Sequence, residues 1–258
     1  MTSTFVTGAA RGIGLAIARR FAAAGYSVGA VDVDEVGLAA LRSEAAELRW
    51  QVWTAPMDVT DISAWRKALE DFTATTRGRL DILVNNAGVM ATGQFTDISP
   101  ERHQQIVDIN VTGVMNGCHA AFEHLRGTPG ARVLNMCSAS AIYGQAELAS
   151  YSASKFAVRG LTEALEIEWR PHGIAVMALW PLFVDTAMLD GVKTGTTEAL
   201  GVHLTPDDVA GAAWRALHRH SPLPKVHHPV GRQTSAAFYL SQVSPVWLTR
   251  LINKRMAH

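Results

Sequence analysis

"TGAARGIG", Thr7 to Gly14, decides the reading of this chain, because its glycines at Gly8, Gly12 and Gly14 follow the spacing G-x-x-x-G-x-G. Phe5 and Val6 just before it read as the end of a strand. Ile13, Ile17, Ala18 and Phe21 then recur at helical spacing, so the glycines occupy a strand-to-helix turn. Glycine tolerates positive φ and lets backbone N–H groups approach a ligand, while the helix N-terminus adds a partial positive charge. Such a turn suits a pyrophosphate, and Gly14 lets the helix pack closely on the strand.

Asp32 stands at the end of the second strand, 18 residues beyond Gly14. A carboxylate there can accept hydrogen bonds from an adenosine ribose and repels a 2′-phosphate, which favours NAD over NADP. Arg11 argues the other way, since a basic residue inside the turn can pair with that phosphate. NAD is the expected cofactor, with NADP the alternative.

Apolar runs alternate with amphipathic segments along the chain. Thr4–Thr7, Ser27–Asp32, Gln51–Met57, Ile82–Val84, Arg132–Cys137 and Ile174–Leu179 read as strands, several apolar on both faces. Between and after them, 14–24, 35–48, 62–75, 100–125, 151–170 and 206–219 show helical spacing. This order predicts an α/β fold, a doubly wound parallel sheet flanked by helices with right-handed crossovers. One domain over 1–258 is expected, with a mobile lid segment at 185–204, rich in glycine and threonine, and a C-terminal tail at 236–258.

At 258 residues, 48% apolar, 18% charged and with zero formal net charge, the chain suits neither a polyanion binder nor a disordered protein. Two cysteines, Cys118 and Cys137, make no disulfide framework or C-x-x-C pair. With no leader-like start and no run of about 18 apolar residues, a cytoplasmic protein is expected. The glycosylation-like Asn110-Val111-Thr112 then reads as accidental. His218 with His220, and His227 with His228, lack a completing ligand set and read as solvated rather than metal-binding; no metal is expected.

Tyr151 and Lys155 lie four apart and share a helix face. A neighbouring ammonium and a cationic nicotinamide both favour the phenolate, bringing the tyrosine towards acid/base work near neutrality. Ser138 follows a strand at the sheet's C-terminal end, where such folds bind ligands.

With these residues in place, the chain resembles the short-chain dehydrogenase/reductase family over nearly its whole length. The resemblance rests on the turn Thr7 to Gly14, the segment Asn85-Asn86-Ala87-Gly88, Asn110, Ser138, and Tyr151 with Lys155. It implies a Rossmann-type fold and an oxidoreductase that moves a hydride between NAD(H) and a secondary alcohol or ketone. Tyr151 would be the general acid/base, and Ser138 would hydrogen-bond the substrate oxygen. Lys155 would lower the tyrosine pKa and bind the nicotinamide ribose, and Asn110 would hold a water. The cofactor would contact Gly8, Arg11, Gly12, Ile13, Gly14, Asp32, Asp58, Val59, Asn86, Ala87, Gly88, Tyr151, Lys155, Pro181, Val184 and Thr186. Pro181-Leu182-Phe183-Val184-Asp185-Thr186 departs from the family's P-G-x-V-x-T by Leu182 in place of glycine, which puts pocket shape in question.

Met90, Ala141, Ile142, Tyr143, Leu148, Trp180, Leu182 and Phe183, with Met188 and Leu189, are the expected substrate lining. That lining is mostly apolar, so an aliphatic, aromatic or polycyclic substrate is expected over a sugar or an acid. Gln145 and Glu147 are polar candidates near its rim, equally readable as solvent-facing. The family resemblance also implies a homodimer or homotetramer built from the helices containing Asn110 and Tyr151. The tail, with Phe238, Tyr239, Leu240, Val243, Trp247, Leu248, Leu251 and Ile252 beside Arg250, Lys254 and Arg255, is expected to pack on its own domain or a neighbouring subunit rather than a membrane. A dinucleotide-binding protein without turnover is the remaining alternative, against which Tyr151 and Lys155 both stand.

Overall fold

The computed structural model describes residues 2–189, 201–219 and 225–245, with 247, 251 and 254. Seven strands form one parallel sheet: β1 (Ser3–Thr7), β2 (Ser27–Asp32), β3 (Val52–Pro56), β4 (Ile82–Asn85), β5 (Arg132–Met136), β6 (Ala175–Trp180) and β7 (His227–Pro229). Their order is β3-β2-β1-β4-β5-β6-β7. The chain leaves β1 towards β2 on one side and returns through β4 on the other, so the order reverses beside β1. A crevice opens at such a switch point, outside the strands' C-terminal ends.

Helices α1 (Gly12–Ala23), α2 (Glu35–Glu47), α3 (Ile62–Thr75), α4 (Pro100–Val107), α5 (Gly113–Arg126), α6 (Ala149–Trp169), α7 (Pro206–Leu217) and α8 (Arg232–Val243) cover the sheet. Strand residues alternate between two cores. Phe5, Leu83, Val133 and Ala178 face Trp65, Phe72, Leu125 and Val158 of α3, α5 and α6. Val6, Val84, Leu134 and Leu179 face Ile17, Phe21, Leu38 and Ala213 of α1, α2 and α7. Burial on both faces explains the near-continuous apolar strands, each fully buried large side chain contributing about 1.5–3 kcal/mol.

Local chemistry sets the helix starts. Asp34 accepts the Gly37 N–H, Asp61 those of Ser63 and Ala64, and Ser99 that of Arg102. Thr205 and Asp208 form a reciprocal capping box ahead of α7.

Three differences from the sequence expectation stand out. The helix expected over 100–125 is broken by a π-helical stretch, Asp108–Thr112, between α4 and α5. Strand β7 was not foreseen, because three residues, His227–Pro229, carry no period. The tail's first turns form α8, whose Phe238 is buried in the core, while Tyr239, Leu240, Val243, Trp247 and Leu251 are exposed. Of the other tail positions, Leu248, Arg250, Ile252 and Arg255 lie outside the described residues. So do His220 and 190–200, most of the expected lid. The ends of that segment are joined, Asp185 donating its N–H to Leu204 O at 2.8 Å.

Candidate active site

The glycine turn is built to leave no room. Gly8 and Gly12 adopt φ of +65° and +55°. A Cβ on Gly14 would lie 2.0 Å from Gly8 O, and one on Gly8 would lie 2.9 Å from Ala87 Cα. Asn86 clamps the turn, its Nδ2 donating to Thr7 O at 2.9 Å and Gly8 O at 3.2 Å. Thr7 Oγ1 accepts the Asn86 and Ala87 N–H groups, both at 3.0 Å. The Asn86 amide is thereby committed to shaping the turn. Gly88 abuts Asn110, whose Oδ1 would sit 3.2 Å from a Cβ there.

Helix α1 begins at this turn, and no side chain caps its N-terminus. The first-turn N–H groups, including that of Ile13, are an anion site of the kind pyrophosphate uses. Arg11 is exposed, and its side chain has no hydrogen bond or ion pair among the described residues. Asp32 accepts the Ala10 N–H through Oδ2 at 3.0 Å and the Asp34 N–H through Oδ1 at 3.1 Å. The carboxylate is thus fixed beside the turn with a lone pair left on each oxygen for two ribose hydroxyls.

Beyond β3, exposed Asp58 turns its carboxylate to Thr60, while buried Val59 gives its carbonyl to Trp65 Nε1 and Asn116 Nδ2. Val59 also packs tightly on Gly113, at whose position a Cβ would lie 2.7 Å from Val59 Cγ2.

The four expected catalytic residues converge at the C-terminal end of β5 and the start of α6. The Tyr151 phenol lies beside Ser138, and Lys155 Nζ lies 5.5 Å from the centre of the Tyr151 ring. Lys155 is buried and donates to Met136 O at 2.9 Å. Burial lowers its ammonium to about 8. Burial also pushes the Tyr151 phenol up to about 12, against the lowering by Ser138. The lowering of the phenol expected from the ammonium is therefore corrected: desolvation outweighs the lowering by Ser138, and the phenol is raised. Cys137, between these groups, is a buried thiol also pushed up to about 12 by burial.

Asn110 lies inside the π-helical stretch, fully buried. Its Nδ2 donates to Val89 O at 2.9 Å and Ser154 Oγ at 3.0 Å, and its Oδ1 takes the Val89 N–H at 2.8 Å. The side chain thus ties the β4 exit to α6, and a water would have to be held by the backbone of this wider turn.

Across the crevice, Ala139 N–H donates to Pro181 O at 2.9 Å, joining the exits of β5 and β6. Val184 bridges to Leu204. Thr186 stands opposite the glycine turn, its Cγ2 3.4 Å from where a Gly12 Cβ would be. Of the three, Thr186 is the one beside Gly12, while Pro181 and Val184 tie this segment to Ala139 and Leu204.

The substrate lining is corrected in part. Trp180 is fully buried and packs on His227 and Phe238, with Arg159 over its ring. Being the last residue of β6 on the face of α6, it points into the core. Ala141 and Leu148 are buried, and Phe183 nearly so. Met90, Ile142, Tyr143 and Leu182 are half-buried and Met188 is exposed; the Leu189 side chain lies outside what is described. Gln145 is buried, not solvent-facing. Glu147 takes a positive φ of 62° and accepts the Gly93 N–H through its carbonyl.

The histidines are not simply solvated. His218 stacks on Trp214 and bonds the Tyr26 hydroxyl, and His227 meets Glu163 at 2.8 Å. Among the described residues no group of three or more His, Cys, Asp or Glu could hold a metal ion. A surface depression of about 320 Å³ lined by Arg20, Asp207, Asp208 and Arg215 includes none of the catalytic four.

The family profile described as short chain dehydrogenase matches residues 2–196. The chain belongs to that family. This short-chain dehydrogenase is 36% identical over 207 residues to a 3-alpha-(or 20-beta)-hydroxysteroid dehydrogenase of Mycobacterium bovis, a match covering 80% of this chain and 78% of the relative. Its fold matches a Mycobacterium paratuberculosis short chain dehydrogenase bound to NAD, with TM-score 0.82 and 28% identity, over 91% of this chain and 98% of that one. A gluconate 5-dehydrogenase of Burkholderia cenocepacia, solved with NADP and tartrate, matches with TM-score 0.76 and 28% identity over 83% and 87%. No helix among the described residues is long and apolar enough to cross a membrane.

Proposed function

We propose that this short-chain dehydrogenase interconverts a secondary alcohol and a ketone of largely apolar body, using NAD(H). The observation that carries the reading is the Tyr151 phenol beside Ser138, with the Lys155 ammonium beside its ring, across the crevice from an uncapped helix N-terminus.

The residues fit a dinucleotide. The glycine turn and the α1 N-terminus would hold the pyrophosphate, Asp32 the adenosine ribose, and Lys155 the nicotinamide ribose. Asp58, Val59 and the segment from Asn86 to Gly88 lie on the adenosine side, and Pro181, Val184 and Thr186 on the nicotinamide side. When bound, the nicotinamide supplies the hydride acceptor and, in its oxidised form, a positive charge.

In alcohol oxidation, Tyr151 in its phenolate form takes the hydroxyl proton as hydride leaves the carbinol carbon. Ser138 hydrogen-bonds the same oxygen and steadies its developing charge. Lys155, carrying an ammonium below about pH 8, holds positive charge beside the phenolate. In carbonyl reduction the phenol returns its proton. Asn110 positions α6 through Ser154, and its backbone is where a water would extend the proton path.

NAD is favoured because the fixed Asp32 carboxylate would meet a 2′-phosphate at close range. Arg11, exposed and without a hydrogen bond or ion pair among the described residues, supports the second reading, an NADPH-dependent reductase. The half-buried rim of Met90, Ile142 and Leu182 and the hydroxysteroid relative support an apolar substrate. Assembly as a homodimer or homotetramer through α5 and α6 belongs to the same reading, supported by the exposed Met115, Phe156 and Ile167. Tyr151→Phe should reduce turnover by at least about 10²-fold while leaving NAD affinity unchanged. The check is to follow reduced-nicotinamide absorbance over a panel of secondary alcohols with both cofactors; near-normal turnover by the variant would overturn the assignment.

A further inference from the structure

Beside the catalytic groups lies a buried polar side chain that the mechanism leaves unused. Gln145, on the loop between β5 and α6, is 3% exposed. Its Oε1 accepts the Ser140 hydroxyl at 3.0 Å. Ser140 Oγ lies 3.2 Å from Ser138 Oγ, and the Ser140 N–H donates to Ser138 Oγ at 3.1 Å. Ser138 in turn stands beside the Tyr151 phenol and lowers it. On its other side the Gln145 side chain bonds the Tyr143 hydroxyl and lowers that phenol against its burial, as a donated amide N–H does. The amide nitrogen thus serves Tyr143, and Oε1 faces Ser140.

A serine hydroxyl has one hydrogen, and an amide oxygen can only accept. Ser140 therefore commits its hydrogen to Gln145 and shows Ser138 a lone pair. We propose that Gln145 is a positioning residue that sets the direction of a hydroxyl chain, Tyr151 to Ser138 to Ser140 to Gln145, and so holds the Tyr151 phenol in its proton-bearing form. In that state the phenol donates to Ser138 Oγ, Ser138 to Ser140 Oγ, and Ser140 to Gln145 Oε1.

When Tyr151 gives up its proton, the Ser138 hydrogen turns to the phenolate. Ser140 could follow by turning its own hydrogen to Ser138. That would leave Ser140 Oγ and Gln145 Oε1 facing each other, lone pair to lone pair, at 3.0 Å. The amide opposes the reversal, and bonds in such a chain reinforce one another. Gln145 thus favours the direction in which Tyr151 donates, the reduction of a carbonyl.

This inference rests on Tyr151 being the acid/base of the proposed function. The test is an ultraviolet titration of phenolate in the NAD complex, in which subtracting Tyr151→Phe isolates Tyr151 among the chain's four tyrosines. Gln145→Leu removes the acceptor and should lower the Tyr151 titration by about 0.5–1 unit. Gln145→Glu keeps the acceptor and adds negative charge, and should raise it. Ser140→Ala should lower it too, and adding Gln145→Leu to Ser140→Ala should change nothing more. A merely structural Gln145 would leave the titration unmoved or shift the Leu and Glu variants in the same direction, and either result overturns the proposal. Should Gln145→Leu not fold, Ser140→Ala carries the downward expectation. Alcohol oxidation that survives Tyr151→Phe would instead sink the assignment of Tyr151 itself.

Discussion

Gly14→Ala puts the glycine turn under the most direct strain. The new Cβ would stand 2.0 Å from Gly8 O and 2.6 Å from Asn86 Nδ2, far inside the about 3.5 Å of an ordinary contact. The clash includes backbone, so α1 must move away from β1 or Gly8 must rotate. Either movement disrupts the Asn86 clamp on Thr7 O and Gly8 O, at about 1 kcal/mol per bond. Overpacking adds about 1–3 kcal/mol, for a total of about 3–5 kcal/mol. In a chain of this size that lowers Tm by roughly 6–20 °C. Gly12→Ala makes the contrast. Among the described residues its Cβ meets only the Thr186 side chain, Cγ2 at 3.4 Å and Cβ at 3.7 Å, so the φ of +55° is its main cost, about 1–2 kcal/mol. That Cβ projects into the gap assigned to the cofactor, so Gly12→Ala should bind NAD at least about tenfold more weakly while melting only a few degrees lower. Thermal denaturation and NAD calorimetry on both variants decide the matter. A Gly14→Ala protein within about 1 kcal/mol of the parent, or a Gly12→Ala protein equally destabilised, would refute the close-approach argument.

Two further outcomes follow from the site's charges. Burial lowers Lys155 from its ordinary 10.5 to about 8, so its charge opposes folding fully below pH 8, and the opposition is relieved as pH rises to 10.5. The shift corresponds to about 3 kcal/mol. Lys155→Met should therefore unfold at higher denaturant at pH 7, gain less between pH 8 and 10 than the parent, and lose turnover. Cys118, pushed up to about 12 by burial, titrates alike in the two proteins and cancels from the difference, whereas Cys137 loses the lowering by Lys155 in the variant and so only reduces its gain further; parallel pH curves would count against a buried ammonium. Asp32→Ser removes a fixed carboxylate, and the NADP-to-NAD affinity ratio should rise by about 10–100-fold, because a like charge some 4–6 Å away costs about 3–4 kcal/mol at most near a protein surface. It should also lose about 1–2 kcal/mol of stability with the Ala10 and Asp34 bonds. An unchanged cofactor ratio would show that Asp32 does not face the ribose.

What the sequence determined by itself was whatever local spacing encodes. Strands buried on both faces must be apolar throughout, and a helix must repeat its apolar residues every three or four, so β1 to β6 and most helices were legible. The glycine turn was legible because Gly8 and Gly12 need positive φ and Gly14 needs the absence of a side chain. Tyr151 and Lys155 share a face by helical geometry alone. Other features belong only to the tertiary structure, because they depend on contacts between residues far apart in the chain. The break at Asp108–Thr112 exists because Asn110 must reach Val89 and Ser154 at once. Trp180 reads as pocket lining and Gln145 as either rim or solvent, because neither residue type nor spacing reveals which side of a strand end or loop is enclosed. The phenol's rise to about 12 is likewise a property of surroundings, since the same Tyr and Lys in water would have little to overcome.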